Sequence, residues 1–254
     1  MIVVEGKNDF CMIEQHEHGK ISGAIANHLK AGNFLGKKLR TEVEFAITNH
    51  DYAWFDIDKK PLWNKETGKP YSFMDYPLED KVKSYQKGIN DIQQTSVYAA
   101  YLCSKHYTFF FSADSTDIYT KSFISQEIDR RNEIASRNQA VQDAHTVDFH
   151  FKLLQFCDDL SLYLCMNKPG ATKEEEIAWF RDGFRQKFNF AEDGMHAHWE
   201  NEYVVVVSPF PFTTSFEVDI PYKRLSKDKV MGKGLEKAYK ETKQELLNIQ
   251  IQPK

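Results

Sequence analysis

Several residues that can bind metals fall on the apolar faces of predicted helices. His18 precedes Ile21 and Ile25 by three and seven residues, which places it on their apolar stripe. By the same test His50 faces inward, and Asp51 follows it directly. The sequence therefore predicts a histidine and a histidine–aspartate doublet that point toward the core.

A third helix carries another inward histidine. Ala99, Leu102 and Cys103 mark its apolar face, and His106 follows on that face by three to four residues. Imidazole is a common metal ligand near neutral pH, so three inward histidines are candidates for one site.

Two adjacent aspartates occupy the segment LLQFCDDLSLYLC, which is apolar on most of its circumference. Asp158 shares a helical stripe with Leu154 and Leu162, whereas Asp159 aligns with Gln155, since adjacent helical residues point about 100° apart. Burial of an ionised carboxylate requires a cation or a hydrogen-bond donor as its partner. We therefore predict that Asp158 is buried with such a partner and that Asp159 is not a ligand.

Two interpretations of these residues remain open at this point. Each histidine can be a hydrogen-bonded core residue, and the aspartate can cap a turn or pair with an arginine. Alternatively, the side chains converge on one or two divalent metal ions, for which imidazole and carboxylate ligands suit Mn, Fe, Zn or Mg. The cysteines form no CxxC pair, which argues against a structural zinc site and a disulfide scaffold.

The order of these residues resembles a known pattern. His18, the doublet His50-Asp51, His106 and then Asp158 resemble the H…HD…D arrangement of the HD-domain superfamily of metal-dependent phosphohydrolases. The strings QHEHGKISG, AITNHDYAW, DKKPLWNKETGKPYSF and LLQFCDDLSLYLC are similar to a bacterial family of unknown function with an HD-like helical fold. That likeness extends to PFPF at 209–212, so it covers most of the chain.

The resemblance implies a ligand set and roles for its members. The residues that match the superfamily's metal ligands are His18, His50, Asp51 and Asp158. His106 matches the additional histidine of members that hold two metals, and whether His145 or His150 joins the site stays open. Asp51, as a bridging ligand or water-orienting base, and His106 are the candidate catalytic residues.

The predicted function is hydrolysis of a small phosphate ester or nucleotide by metal-activated water. Two alternatives remain, an HD-like di-iron oxygenase and a non-catalytic metal-binding regulatory module. The segment 53–76 follows the doublet and is predicted to cover the site. The candidate substrate-binding residues are Trp54, Asp58, Lys105 and Arg131.

The predicted fold is mainly α, an HD-domain-like helical bundle with a small C-terminal β element. One domain spans 1–254, with the helical body at 9–190, the β element at about 200–222 and a C-terminal helix at 227–247. A long solvated helix is expected within 122–152, followed by a buried one. Residues 1–4 are expected to add a strand to the small sheet.

Composition restricts the partners. The chain has 254 residues and a formal charge of −4, and its basic residues are scattered, which argues against nucleic-acid binding. The longest unbroken apolar run, Val97 to Cys103, is far shorter than the roughly 20 residues that span a bilayer. No secretory signal is recognisable, so we expect a cytoplasmic protein with a small-molecule substrate; a homodimer is left open.

Overall fold

The computed structural model describes residues 1–254. Half of the residues are helical and about a fifth lie in strands. The strands are β1 (Ile2–Glu5), β2 (Asp9–Ile13), β3 (Trp63–Asn64), β4 (Lys69–Pro70), β5 (His196–Asn201), β6 (Val204–Ser208), β7 (Phe216–Ser226) and β8 (Glu245–Pro253). The helices are α1 (Gln15–Asn27), α2 (Arg40–Asn49), α3 (Phe55–Asp58), α4 (Leu78–Thr95), α5 (Val97–Phe109), α6 (Ile118–Arg137), α7 (Ala144–Met166), α8 (Ala178–Arg181), α9 (Lys227–Lys233) and α10 (Leu235–Glu241).

Six of the strands form one mixed sheet in the order β1-β2-β7-β8-β6-β5. Neighbours run antiparallel except β6 and β8, which are parallel. In β7, Phe216, Val218 and Ile220 are buried while Glu217 and Asp219 are exposed, which is the alternation of a strand with one covered face. The remaining pair, β3 and β4, forms a separate short hairpin.

Helices α1, α2, α5 and α7 pack against one another, and α1 and α7 also contact strands β7 and β1. A core of 51 buried apolar residues, from Ile2 to Ile251, joins these helices to the sheet. A second cluster of 8 residues, including Phe10, Leu225 and Tyr239, lies beneath α9 and α10.

None of the helices combines the length and apolar composition that crossing a bilayer requires.

Two glycines let α1 approach α2 closely. A Cβ atom on Gly19 would lie 2.9 Å from the Thr48 carbonyl oxygen, and one on Gly23 would lie 3.1 Å from Thr48 Cα. Both distances are too short for a larger side chain without movement of the backbone. The close approach brings the rings of His18 and His50 to a centroid separation of 5.2 Å.

The prediction of a mainly α fold with a small C-terminal β element is wrong, because the chain is α/β with a six-stranded sheet. Strands β2, β5 and β8 were not expected, and β7 continues beyond residue 222 to Ser226. The physical reason is that the sheet is assembled from distant segments: β2, at residues 9–13, pairs with the far end of β7. Local periodicity carries no signal for such pairing.

Two predicted helices also differ from the structure. The expected C-terminal helix at 227–247 is divided into α9 and α10 at Gly234, whose φ of +80° breaks the helical path, and Glu245 begins β8. The long helix expected within 122–152 is interrupted between Arg137 and Ala144, and α7 then continues without a break to Met166.

Candidate metal centre

Four helical segments bring the predicted ligands together in the interior. Their side chains come from α1, the end of α2, α5 and α7, and all are buried: His18, His50, Asp51, His106 and Asp158. They form two overlapping groups that share His50, one with His18 and Asp51 and one with His106 and Asp158. Within each group the potential ligand atoms lie within 4.8 Å of one another.

A serine on α7 orients His18. Ser161 Oγ donates its single hydrogen to the His18 carbonyl oxygen at 3.0 Å. The same Oγ lies 2.7 Å from His18 Nδ1, so it accepts a hydrogen bond from that nitrogen. The His18 Nε2 faces Asp158 Oδ1 at 2.9 Å, within hydrogen-bond distance, and Asp51 Oδ2 at 3.8 Å, and once it has lost its hydrogen it offers a lone pair between the two carboxylates.

His50 has the same orientation by a different route. It is the residue that ends α2, and its Nδ1 donates to the carbonyl oxygen of Ile47 at 2.7 Å. Its Nε2 lies 3.3 Å from Asp158 Oδ1 and 3.7 Å from Asp51 Oδ2 but is not aligned for a hydrogen bond with either. A fully buried ring nitrogen without a partner is unusual, and here it points at two carboxylates.

His106 stands slightly apart from the other two histidines. Its Nε2 lies 3.9 Å from Asp158 Oδ2, and its ring meets the edge of Phe110 at a centroid separation of 4.7 Å. Burial lowers the pKa of His106 to about 3, although Asp158 acts in the opposite direction. The imidazole is therefore neutral at ordinary pH, as a metal ligand must be.

The electrostatics of the cluster favour positive charge between the carboxylates. Burial lowers the pKa of His50, but the neighbouring Asp51 and Asp158 outweigh it and raise that pKa to about 9. Burial raises the pKa of Asp158, yet His50 and the hydrogen bond with His18 hold it well below its usual range. Burial raises the pKa of Asp51, with His50 and His18 opposing the shift.

The cluster opens into a cavity of about 790 Å³. Asp51, His106 and Asp158 contribute to its wall, and half of the remaining lining residues are aromatic. Asp159 lines the cavity as well, which the helical-face analysis did not predict. Burial raises the pKa of Asp159 to about 6, with Asp158 acting in the same direction. The cavity is therefore lined by more of α7 than the single helical face that carries Asp158.

Two polar side chains hold Asp159 in the cavity wall. Arg185 Nε donates to Asp159 Oδ2 at 3.2 Å, and Gln186 Nε2 donates to the same oxygen at 2.7 Å. Arg185 also lies over the ring of Phe109, with its guanidinium carbon 4.8 Å from the ring centroid.

Part of the segment predicted to cover the site does line the cavity. Trp54 lies in its wall, together with Phe73 and Met74 from the same segment. Gly88 of α4 packs so closely on this segment that an added Cβ would lie 2.8 Å from Ala53 Cα. The position of Trp54 beside the doublet is thus fixed by close packing.

The other candidate substrate residues lie away from the cavity wall. Asp58 is buried and accepts a hydrogen bond from the first backbone amide of α1 at 2.7 Å. Lys105 lies over the ring of Phe151, and Arg131 donates to Ser104 Oγ at 2.8 Å. Their role in substrate binding stays a prediction to which this geometry adds no support.

Neither additional histidine reaches the cluster. His150 is buried and uses both ring nitrogens, with the Tyr98 hydroxyl 2.6 Å from Nδ1 and the Leu35 carbonyl oxygen 2.8 Å from Nε2. His145 is exposed and lines a second cavity of about 370 Å³.

Sequence reasoning missed four polar residues of the cavity wall, Gln15, Lys81, Asp182 and Arg185. Gln15 begins α1 one turn before His18, so the spacing that identified His18 could have found it. Arg185 lies in an irregular stretch after α8, where no periodic signal exists.

The donor set fits a divalent metal. Three imidazoles and two carboxylates converge without a thiolate, and the two histidines nearest the carboxylates direct Nε2 toward them. The other ring nitrogen of each is fixed by a hydrogen bond, which is the usual support of a metal-binding histidine. These buried groups can hold a metal ion, and their chemistry suits a hard or borderline cation.

Residues 1–227 match the family described as "Protein of unknown function (DUF3891)". The chain belongs to this family. No curated protein and no solved structure matches the chain. The family match does not extend to the HD-domain superfamily, with which the histidine–aspartate cluster is compatible.

Proposed function

We propose that the chain is a metal-dependent hydrolase of small phosphate esters, the activity that the likeness to HD-domain phosphohydrolases implies. The observation that carries the proposal is the orientation of His18 and His50. Both direct Nε2 toward Asp51 and Asp158 at the base of a cavity large enough for a small molecule. Structural metal sites are closed, whereas catalytic sites keep one position open to substrate.

The residues that would hold the metal are His18, His50, Asp51 and Asp158, and His106 would add a ligand for a second metal. A divalent metal, when bound, lowers the pKa of a coordinated water toward about 7 and withdraws charge from phosphoryl oxygens.

The protein's own residues supply orientation and proton transfer. In the proposed reaction a water oxygen forms a bond to phosphorus while the ester P–O bond breaks, which gives inorganic phosphate and an alcohol. Asp51, in the cavity wall, orients the water and accepts its proton, and the leaving oxygen takes up a proton from solvent. The aromatic walls limit competing water around the phosphoryl group.

One feature favours oxygenase chemistry as a second candidate. The two overlapping groups share His50 and together offer three imidazoles and two carboxylates, a set that also suits a pair of iron ions. Metal identity separates this candidate from the hydrolase.

The test combines metal analysis with two activity assays on the purified full chain. We expect one or two divalent metals per chain and release of phosphate from monoesters that depends on the metal. Iron with oxygen consumption and no phosphate release would favour the oxygenase. No metal uptake on reconstitution would leave a non-metal binding module and contradict both.

A matched pair of variants tests the site itself. Asp158→Asn removes one carboxylate charge of the cluster, and we expect metal affinity and phosphate release to fall by at least about tenfold. Asp148→Asn makes the same change on the surface of the same helix, where Asp148 pairs with Lys152, and we expect it to leave both unchanged. Equal effects of the two substitutions would contradict the assignment of Asp158.

A further inference from the structure

The inner end of the cavity, its floor, is polar and buried, whereas its outer opening, the mouth, is apolar and half exposed. The floor residues Asp51, His106 and Asp158 are buried, whereas several large apolar side chains of the wall are about half exposed. These exposed side chains are Met74, Phe109, Phe110 and Trp179. Single exposed apolar residues are common, but several around one opening mark a binding surface. The ring contact between Phe110 and His106 makes this apolar surface continuous with the cluster.

The charges of the wall limit how much anionic charge a ligand can carry. Four aspartates, Asp51, Asp158, Asp159 and Asp182, line the cavity against only two cationic side chains, Lys81 and Arg185. A divalent metal held by Asp51 and Asp158 would offset those two charges, and Asp159 and Asp182 then balance Lys81 and Arg185. The wall therefore has no surplus positive charge for a polyphosphate and suits one anionic group.

Of the two cations, Arg185 is the one available to a ligand. Lys81 already donates to the Phe73 carbonyl oxygen at 3.0 Å. Arg185 uses only Nε, in its bond with Asp159, while its two terminal NH₂ groups make no hydrogen bond within the protein. A planar guanidinium with two free terminal groups can pair with one phosphoryl or carboxylate group.

Gln15 indicates independently that the inner cavity receives a ligand. Its side chain is 3% exposed and lines the cavity, and its amide oxygen has no hydrogen-bond partner. A buried amide without a partner destabilises a protein unless a ligand or water completes its hydrogen bonds. The residue lies one turn from His18 on α1, next to the proposed metal centre.

We infer that the substrate is an organic monoester with one phosphoryl group and a flat, apolar organic part. The organic part packs against Phe110 and Trp179 at the mouth, and Arg185 pairs with the anionic group. The inference rests on the proposed function for the identity of the anion, while the apolar selectivity follows from the wall alone. The cavity volume of about 790 Å³ suits a ligand of one or two fused rings.

The test measures binding to the full chain by calorimetry, with and without divalent metal. The probes are 1-naphthylphosphonate, methylphosphonate with the same anionic group but no ring, and adenosine triphosphate with several charges. We expect the naphthyl ring to increase affinity by about tenfold or more over the methyl compound, from aromatic contact and burial of apolar area. We expect the triphosphate to bind more weakly than the naphthyl compound.

Variants test whether the ring effect, the higher affinity for the naphthyl than for the methyl compound, depends on the aromatic residues at the cavity mouth. Trp179→Ala removes a side chain that is 56% exposed, and we expect the naphthyl affinity to fall about fivefold or more while the methyl affinity stays the same. Tyr203→Ala is the control, because Tyr203 is an aromatic residue of similar exposure, 60%, on the turn between β5 and β6. We expect no change from it.

The outcomes separate this inference from the proposed function. Equal binding of the naphthyl and methyl compounds, or tighter binding of the triphosphate, overturns the inference even if the protein hydrolyses phosphate esters. A ring effect that Trp179→Ala removes in metal-free protein supports the apolar selectivity of the mouth even if no metal binds and no hydrolysis occurs, and only the identity of the anionic group then falls with the proposed function. A ring effect that survives Trp179→Ala and Phe110→Ala together overturns the placement of the ring.

Discussion

Two regions of the interior bury histidines, and they satisfy them differently. His150 is bonded at both ring nitrogens, to the Tyr98 hydroxyl and the Leu35 carbonyl oxygen, with no carboxylate among these partners. In the cluster, His50 is bonded only at Nδ1, and Nε2 faces two carboxylates without a hydrogen bond. Both histidines are fully buried. Burial alone therefore does not distinguish a structural histidine from a metal ligand, whereas the partner of the second nitrogen does.

The largest effect expected from this difference is that of His50→Ala. It removes the ring shared by both potential ligand groups, and we expect metal affinity to fall by at least about 100-fold, beyond the range of changes outside the coordination shell. Calorimetric titration with Mn²⁺ and Zn²⁺ measures the change, and circular dichroism verifies that the variant is folded. Wild-type affinity in a folded variant would remove His50 from the site.

The next effect is the dependence of metal affinity on pH. The carboxylates raise the pKa of His50 to about 9, so below that pH its ring carries a proton that a metal must displace. We expect apparent affinity to rise by about tenfold per pH unit from pH 6 to 8 and to level off near pH 9. The raised pKa of Asp51 acts in the same direction. Affinity that is constant from pH 6 to 8 would contradict this assignment.

A smaller effect is expected for Ser161→Ala, which removes the group that fixes the His18 tautomer. We expect metal affinity to fall by about tenfold, since hydrogen bonds to the distal nitrogen orient a ligating imidazole. Ser22→Ala is the control, because Ser22 Oγ donates to the same His18 carbonyl oxygen without touching the ring. If both variants lose affinity equally, the effect belongs to the backbone of α1 and not to the tautomer.

The smallest effect on metal binding is expected for His150→Gln. This change disturbs the bonds with Tyr98 and Leu35, and we expect the free energy of unfolding to fall by about 1–3 kcal/mol. Metal stoichiometry and affinity should stay at wild-type values in the same titration. Loss of metal from a folded His150→Gln protein would mean that the two histidine environments are coupled.

The cluster residues were accessible from sequence because each lies on or next to a helix with a clear apolar face. His18, His106 and Asp158 follow from spacing within one element, and the doublet ends α2. The same reasoning placed Asp159 outside the site, because it assumed that only one face of α7 lines the cavity. Gln15 was missed although it lies one turn before His18, since its side chain resembles that of an ordinary first-turn residue.

The sheet was much less accessible than the helices. Strand β2 has only the residues DFCMI. It pairs with β1 across the short turn at 6–8 and with β7 near the other end of the chain, and no local turn signals this second partner. In β8 the buried Ile249 and Ile251 alternate with less buried residues, as expected of a strand. The apolar residues before them, Leu235, Ala238 and Leu246, also fit the spacing of a helix, so the sequence pattern did not show where the strand begins. The register between distant segments is set by contacts between strands that come together only in the folded protein. No short stretch of the sequence therefore reveals it.

The most direct test of the metal centre is an anomalous difference map from crystals grown with Mn²⁺ or Zn²⁺. We expect a peak bounded by His18 Nε2, His50 Nε2 and the carboxylates of Asp51 and Asp158, and none beside His150. With two metals, a second peak lies between His106 and Asp158. A map without a peak at this cluster at millimolar metal, or with its only peak on surface residues, would contradict the account.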